Sequence, residues 1–497
     1  MTHLAIMKLL RTLEDSKEFL FVILSSFLFF LLRIPSLFEP LWYGDEGIYQ
    51  VIGNSLNHGK VLYSEIFDNK PPLLYWLYSI LQSDQFTVRL ASLIFGVFSV
   101  MVFFLLSKKL FKSEKNNNIP FLATFIFTLL LGLPTLEGNI ANAESFMLLP
   151  TILAGFLIFK RMGFRSKLST FNFQLSTFIA GLLLGIAFLF KVVAIFDFAA
   201  FFIFYFIINF NSLKKHIKLP SIFVGFCFPI LAVSLFFVLN NTFIDFVKAV
   251  LITNISYVSY GNKIGGTPLL LLVKLALLGG FVLYMFKKRK KLNQTTLFIL
   301  IWFAFSLFNA LFSQRPYTHY LLVLISSFSL MIGLILFDKK HQKTIAIIFI
   351  VALLAIIKTF GIPNFSKSIS YYQNFISYVK GDKTMIQYQA FFDRNTPFDY
   401  EIARFIKPKL SKNDTIFIWG NNAQLYQLVN VIAPTKYIVA YHIKNYKDGI
   451  PTIKSSLEKI KPKFVVVMKN QGEIPFPLID YSKKININES TIYERIF

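Results

Sequence analysis

Eleven long apolar segments occupy most of the first 360 residues, and they constrain the fold more than any other feature. Segments of this length with few charges can cross the hydrocarbon core of a bilayer as helices. The sequence therefore predicts a polytopic α-helical membrane protein with about 11 transmembrane helices. The predicted spans are 19–38, 86–107, 119–136, 143–160, 176–190, 192–210, 220–240, 268–286, 296–313, 319–337 and 343–360.

Basic residues in alternate loops orient these predicted spans. All five loops that follow the even-numbered spans are basic, namely 108–115, 160–167, 214–218, 287–291 and 338–343. Because cytoplasmic loops carry an excess of lysine and arginine, we place these loops and the N-terminus in the cytoplasm. The same placement accounts for the net charge of +25 and argues against nucleic-acid binding. The composition, rich in Phe, Lys and Asn, is typical of an AT-rich bacterium, so we expect a multi-pass protein of the bacterial inner (plasma) membrane.

A less apolar region follows the last predicted span. Two β-branched runs, 415–419 and 463–468, and a third candidate at 436–440 are separated by helical patterns. Alternating strands and helices predict a small α/β domain with a partly parallel sheet. The sequence thus divides into a transmembrane domain, 1–360, with interfacial helices in its first outer loop, and a C-terminal domain, 361–497, which the predicted topology places outside the cytoplasm.

Two adjacent carboxylates, Asp45 and Glu46, follow the first predicted span on the extracytoplasmic side. Charges at a membrane surface are costly to place, which marks them as candidates for chemistry. The amphipathic residues after Gly44 predict a helix that lies in the membrane interface. Asp45 either caps this helix or acts as a general base toward an acceptor hydroxyl. Glu46 supports that base, takes part in cation binding, or is a first-turn acid favoured by the helix dipole.

Basic residues in the outer loops form a second group of candidates. Lys70 precedes Pro71 and Pro72, where a second interfacial helix is predicted to begin, and a lysine beside a helix N-terminus suits a phosphate. The alternative is that Lys70 extends to lipid headgroups. Lys191 directly follows an apolar run, so its charge must find water, lipid phosphate or a protein partner.

One short outer loop contains Arg315, Tyr317 and His319. The arginine offers a planar set of donors for phosphate, and tyrosine and histidine add hydrogen bonds. Arg315 as a simple anchor of a helix end is the alternative. Glu144 begins the fourth predicted span from outside, where it positions an acceptor, shares a cation, or is a plain helix-start carboxylate. The sequence has neither a Cys/His spacing suited to zinc nor a nucleotide-binding phosphate loop.

These elements, in this order, resemble the GT-C membrane glycosyltransferases. The resemblance is to the branch that includes protein O-mannosyltransferases and to bacterial transferases that move aminoarabinose to lipid A. It covers about residues 15–360 and is carried by four stretches, Y43-G-D-E-G-I-Y49, Y63-S-E-I-F-D-N-K-P-P-L-L-Y-W-L77, G181-L-L-L-G-I-A-F-L-F-K191 and R315-P-Y-T-H-Y320. The resemblance implies that Asp45 is the catalytic aspartate and that Lys70, Lys191 and Arg315 bind the donor phosphate.

The function implied is inverting transfer of a sugar from a dolichyl- or undecaprenyl-phosphate donor to a hydroxyl of a glycan, lipid or protein acceptor outside the cytoplasm. Membrane lipids are the other expected partners. Some family members carry a glutamate just before the Lys-Pro pair that is tied to cation binding, whereas this sequence has Asn69 there and Asp68 one residue earlier. Asp68 is therefore a candidate for positioning a cation or the acceptor, no cofactor is certain, and a divalent cation is left open.

Two alternatives to a transferase remain, a polytopic transporter and a glycan ligase or binding protein of cell-envelope polysaccharide assembly. Transporters commonly have repeated halves and charges near the middle of the membrane. The candidate charges here lie in outer loops, and the sequence shows no repeated halves.

Overall fold

Long apolar helices form most of the molecule. The computed structural model describes residues 16–112, 118–162, 170–213, 221–256, 268–313, 315–361 and 364–496. Seven helices in these ranges are long and apolar enough to cross a membrane: Ser16–Phe38, Gln85–Leu110, Val192–Phe210, Ser221–Leu239, Leu269–Lys288, Gln294–Leu311 and Gln342–Phe360. Four shorter apolar helices are Asn118–Gly132, Ala143–Phe159, Gln174–Phe190 and Ile325–Phe337. Each predicted span overlaps one of these helices, which agrees with the predicted polytopic helical fold. The number that cross the bilayer stays a prediction.

The helices of the first 360 residues are numbered here in chain order. They are α1 (Ser16–Arg33), α2 (Gly44–Asn57), α3 (Pro72–Ile80), α4 (Gln85–Leu110), α5 (Asn118–Gly132), α6 (Ala143–Met162), α7 (Thr170–Phe190), α8 (Ile195–Leu213), α9 (Ser221–Leu239), α10 (Phe243–Val247), α11 (Pro268–Lys288), α12 (Gln294–Leu311), α13 (Ile325–Phe337) and α14 (Gln342–Phe360). A π-helix, Lys248–Ile252, continues α10. Helices of 3-10 type cover Ile34–Phe38, Pro134–Leu136, Val192–Ala194 and Thr318–Val323.

Glycines bring helices α7 and α9 into close contact. A Cβ atom on Gly181 would lie only 2.8 Å from the backbone nitrogen of Phe226, and one on Gly185 would meet the ring of Pro229. Small residues allow this approach between apolar helices, where side-chain packing replaces the hydrophobic effect. The two glycines of the stretch that ends at Lys191 thus hold α7 against α9.

The first outer loop folds into the two short helices that the sequence predicts, α2 and α3. Ile48, Val51 and Ile52 of α2 are buried, as its apolar spacing requires. The N-cap of α2 is Tyr43, and Asp45 lies within the first turn. The N-cap of α3 is Pro71, which places Pro72 at the first helical position.

The described residues of the C-terminal region, 364–496, contain six helices and one four-stranded sheet. Its helices are α15 (Phe365–Val379), α16 (Met385–Phe392), α17 (Thr396–Ile406), α18 (Gln424–Val429), α19 (Ala440–Asn445) and α20 (Gly449–Ile460), with a 3-10 turn at Lys407–Lys409. The strands are β1 (Ile416–Trp419), β2 (Phe464–Val467), β3 (Tyr481–Ile487) and β4 (Ser490–Arg495). They lie in the order β1-β2-β4-β3, with β1 and β2 parallel and the other pairs antiparallel.

The sheet confirms two of the predicted strands and corrects the third. Residues 415–419 and 463–468 contain β1 and β2, whereas residues 436–440 contain no strand. The backbone there contacts the first outer loop instead, because the carbonyl of Lys436 accepts a hydrogen bond of 3.0 Å from the Phe67 N–H. The division of the chain at residue 360 stays a prediction.

Candidate active site

Asp45 lies in the first turn of α2 with part of its carboxylate open to solvent. One oxygen, Oδ2, accepts a hydrogen bond of 3.2 Å from the Tyr49 hydroxyl and lies 3.7 Å from Nζ of Lys70. Burial raises the pKa of Asp45, but Lys70, His319 and Lys191 outweigh it and bring the pKa below its ordinary value. Asp45 is therefore an ionised carboxylate with 34% of its side chain exposed, as a general base requires.

Lys70 lies between two carboxylates. Its Nζ is 3.7 Å from Asp45 and 3.5 Å from Oδ2 of Asp68, and it lies 5.2 Å from the centre of the Tyr49 ring. Asp68 is fully buried and accepts a 2.7 Å hydrogen bond from the Tyr75 hydroxyl. The Tyr63 hydroxyl donates to the Lys70 carbonyl at 2.7 Å. The lysine is thus held at the start of α3 and directed toward the catalytic candidate.

A second basic group comes from the turn between α7 and α8. Lys191 forms an ion pair with Glu144, which lies in the first turn of α6 and is 2% exposed. The Lys191 Nζ also lies 4.9 Å from the centre of the Tyr320 ring. A charge at the end of an apolar helix needs a partner, and Glu144 is the protein partner of the Lys191 ammonium.

His319 joins the candidates of the last outer loop to Glu144. Its Nε2 lies 3.9 Å from Oε1 of Glu144, and its Nδ1 lies 3.0 Å from Oε2 of Glu137. Tyr317 is 46% exposed and stacks on His319 with 5.7 Å between ring centres. Arg315 lies in the same segment and is partly buried, and its contact with a donor phosphate stays a prediction.

Glu137 is a residue of the site that sequence reasoning missed. It accepts hydrogen bonds from the hydroxyls of Tyr43, at 2.5 Å, and Thr318, and it contacts His319. Burial raises the pKa of Glu137, but these hydrogen bonds and the charge of His319 bring it below the ordinary value. Its one sequence signal is an acidic residue in a short outer loop, which does not distinguish it from a solvated carboxylate.

Glu46 does not lie in the same group as Asp45. Its carboxylate forms a buried ion pair with Arg89 of α4 and accepts a 2.9 Å hydrogen bond from the Ala141 N–H. Arg89 is fully buried and also lies 3.0 Å from Glu39. The adjacent carboxylates therefore point to different surroundings, and Glu46 fastens α2 to the helical core.

The C-terminal region contributes one histidine to the site. His442 of α19 is buried, and its Nε2 lies 3.6 Å from Oδ1 of Asp68. Its ring packs edge-on against Phe67, with 5.5 Å between ring centres. Burial lowers the pKa of His442 to about 4, so the imidazole is neutral at physiological pH. A single histidine in a polar region carries no spacing signal, which is why sequence reasoning missed it.

The described residues thus bring Asp45, Lys70, Asp68, Lys191, Glu144 and His319 together from five segments of the chain. Among the described residues, no three His, Cys, Asp or Glu side chains are grouped so as to hold one metal ion. The arrangement supplies an ionised base beside basic groups that suit an anionic ligand.

Comparison with known proteins confirms the resemblance. Residues 69–237 match the sequence model of the family described as dolichyl-phosphate-mannose-protein mannosyltransferase. The chain shares the GT-C fold of ArnT from Cupriavidus metallidurans, solved bound to undecaprenyl phosphate, with a TM-score of 0.56 at 13% identity over 97% of this chain and 98% of that one. No curated protein matches the sequence significantly.

A further solved structure that matches is the Archaeoglobus fulgidus oligosaccharyltransferase. In its complex with Zn and sulfate, the TM-score is 0.49 at 14% identity, over 90% of this chain and 67% of that one. In its complex with an inhibitory peptide and a dolichol-phosphate, the TM-score is 0.48 at 12% identity, over 91% and 69%.

Proposed function

We propose that this chain, which matches a mannosyltransferase family model over residues 69–237 and shares the fold of ArnT, is a membrane glycosyltransferase that moves a sugar from a polyprenyl-phosphate donor to a hydroxyl on the extracytoplasmic face of a bacterial membrane. The observation that carries the proposal is Asp45, an accessible carboxylate kept ionised by basic residues from separate segments. A base and phosphate-binding groups in one place are the two requirements of this reaction. Undecaprenyl phosphate bound to a protein of the same fold supports a lipid-linked donor.

The reaction follows from this layout as a single displacement. Asp45 takes the proton of the acceptor hydroxyl as its oxygen attacks the anomeric carbon. The bond between that carbon and the phosphate oxygen breaks, and polyprenyl phosphate leaves with the electron pair. Attack from the face opposite the phosphate inverts the anomeric centre.

Basic residues stabilise the charge that develops on the leaving phosphate. Lys70 and Lys191 are both within electrostatic reach of Asp45, and we assign Arg315, Tyr317 and His319 to the same phosphate-binding role. Stabilisation worth about 3 kcal/mol in the transition state changes the rate by roughly a hundredfold.

Replacing the base tests the proposal. Asp45→Asn keeps the shape of the side chain and removes the proton acceptor, so we expect sugar transfer to fall by about a hundredfold or more while undecaprenyl phosphate still binds. Mass spectrometry of cell-envelope glycans in a deletion strain, complemented with wild type or Asp45→Asn, reports transfer whichever sugar is moved. Asp382→Asn, at an exposed aspartate of the C-terminal region, is the matched control. Undiminished transfer by correctly inserted Asp45→Asn would reject Asp45 as the base.

A further inference from the structure

A cavity lies on the face of α2 that carries Glu46 and is separate from the Asp45 site. Its volume is about 460 Å³, which is within the range of small-molecule sites. Gln50, four residues after Glu46 on the same helical face, lies on one side, and Tyr400 and Gln427 of the C-terminal region lie on the other. Asp45 and Lys70 are not among its lining residues.

Three polar side chains that line this cavity can each form one more hydrogen bond than they form with the described residues. Gln50 is 1% exposed, and its Oε1 has no hydrogen-bond partner; the same holds for the buried Oε1 of Gln427. The Tyr400 hydroxyl accepts a 2.9 Å hydrogen bond from the Leu41 N–H, which leaves its own proton to be donated. Buried amides without partners are costly, so a ligand that bonds to them gains affinity.

The charge and position of the cavity define the class of ligand. Of the two carboxylates that line it, Glu39 is paired with Arg89, whereas Asp84 accepts hydrogen bonds from the neutral Thr87 and so opposes an anionic ligand. Phe38 and Phe86 stand at its rim, 54% and 45% exposed, at the ends of two candidate membrane spans. Aromatic residues at such ends face the boundary between headgroups and acyl chains.

We propose that this cavity binds a neutral lipid with a hydroxyl-rich headgroup, of the glycolipid class. The hydroxyls of the headgroup bond to Gln50, Gln427 and Tyr400, and the acyl chain passes over the contacting rings of Phe38 and Phe86, whose centres are 6.3 Å apart, toward the bilayer. The proposal does not rest on the reaction assigned to Asp45, because the two sites lie on different faces of α2.

Photolabelling tests this site on the full chain in phosphatidylcholine nanodiscs. The probe is decyl β-glucoside with a diazirine in its alkyl chain. We expect peptides that contain residues 37–41 and 85–86 to be labelled, and dodecyl maltoside, but not dodecylphosphocholine, to compete. Gln50→Leu combined with Gln427→Leu should lower the labelling about tenfold, which is the effect of losing one or two hydrogen bonds.

Two further variants separate the site from general partitioning. Leu428→Trp fills the cavity without removing an amide and should also lower the labelling, whereas Gln294→Leu, an exposed residue at the start of α12, should leave it unchanged. If the paired glutamine variant does not fold, Leu428→Trp decides. Labelling spread along the exposed helix α11, equal competition by dodecylphosphocholine, or labelling unaffected by the cavity variants would show an adventitious additive only and overturn the proposal.

Discussion

Asp45 is ionised because of basic groups that are distant in sequence. Lys70 lies in the first outer loop, Lys191 between α7 and α8, and His319 in the last outer loop, and all three lower the pKa of this carboxylate. Burial alone would raise the pKa. The protonation state of the base is therefore a property of the assembled site.

Removing one of these cations should shift the pH dependence of transfer. Lys70→Met raises the pKa of Asp45, and a base works only when deprotonated, so the acid limb of the pH–rate profile should move to higher pH. The loss of rate should thus be larger at acidic than at alkaline pH. Profiles of kcat/KM for wild type, Lys70→Met and the exposed control Lys447→Met measure this. An acid limb that stays in place, or moves to lower pH, would contradict the electrostatic role of Lys70.

Loss of Arg89 should clearly destabilise the protein. It is fully buried between Glu39 and Glu46, so Arg89→Met removes the direct ion-pair partner of two buried carboxylates. Breaking a buried pair in this way costs about 3–5 kcal/mol. We expect a clearly lower midpoint of thermal unfolding, partly restored when Glu46→Gln is added. The Glu46→Gln variant alone should retain transfer. If this variant is stable but completely inactive, Glu46 takes part in the reaction.

Scarcity of charge explains which site residues the sequence revealed. Lys191, His319 and Glu144 stand at the ends of long apolar runs, where a charge is costly, and Asp45 and Lys70 lie in the outer loop between two such runs. Glu137 also directly follows a predicted span, but a single acid in a short loop resembles a solvated carboxylate, and His442 lies in a polar region without a spacing signal. Their importance arises only when loops far apart in sequence meet.

Helix α2 is fixed in place by the C-terminal region as well as by Glu46. A Cβ atom on Gly47 would lie 2.7 Å from the backbone nitrogen of Gln424, so glycine is needed for α18 to approach. Gly47→Val should displace the C-terminal region and disturb Asp45, two residues away. We expect faster limited proteolysis within residues 364–496 and reduced transfer. Gly279→Val is the matched control, because a Cβ atom there has no described atom within 4 Å. Equal proteolysis of both variants would contradict this packing role.

The strands show where sequence patterns fail. β1 and β2 are short and buried and consist of β-branched and aromatic residues, a pattern that indicates a central strand. β3 and β4 pair through a two-residue turn in which Asn488 and Glu489 both have positive φ. Asn-Gly is the usual sequence signal of such a turn, and the glycine is replaced here by Glu489. β3 is largely exposed and polar, so its pattern resembles that of a loop.

The C-terminal region packs directly against the first outer loop of the membrane region. The Tyr371 hydroxyl donates to Glu39 at 2.5 Å, Lys60 donates to the carbonyl of Ala433 at 2.6 Å, and His442 lies against Asp68. These contacts place the C-terminal region on the same side of the molecule as Asp45. The C-terminal region and Asp45 must therefore lie on the same side of the membrane.

This shared side makes topology a test of the whole molecule. Basic loops such as 287–291 should lie in the cytoplasm and the C-terminal region outside, where lipid-linked sugar transfer is proposed. The only cysteine, Cys227, lies within α9, so a Cys227→Ser background allows single cysteines to be introduced at exposed Lys454 and Lys290. A membrane-impermeant maleimide should label Lys454→Cys in cells whose plasma membrane is intact, and Lys290→Cys only after lysis. The opposite pattern would put Asp45 in the cytoplasm and remove the basis of the proposed function. Labelling of both sites in intact cells would mean only that the membrane was breached, which a cytoplasmic marker enzyme detects.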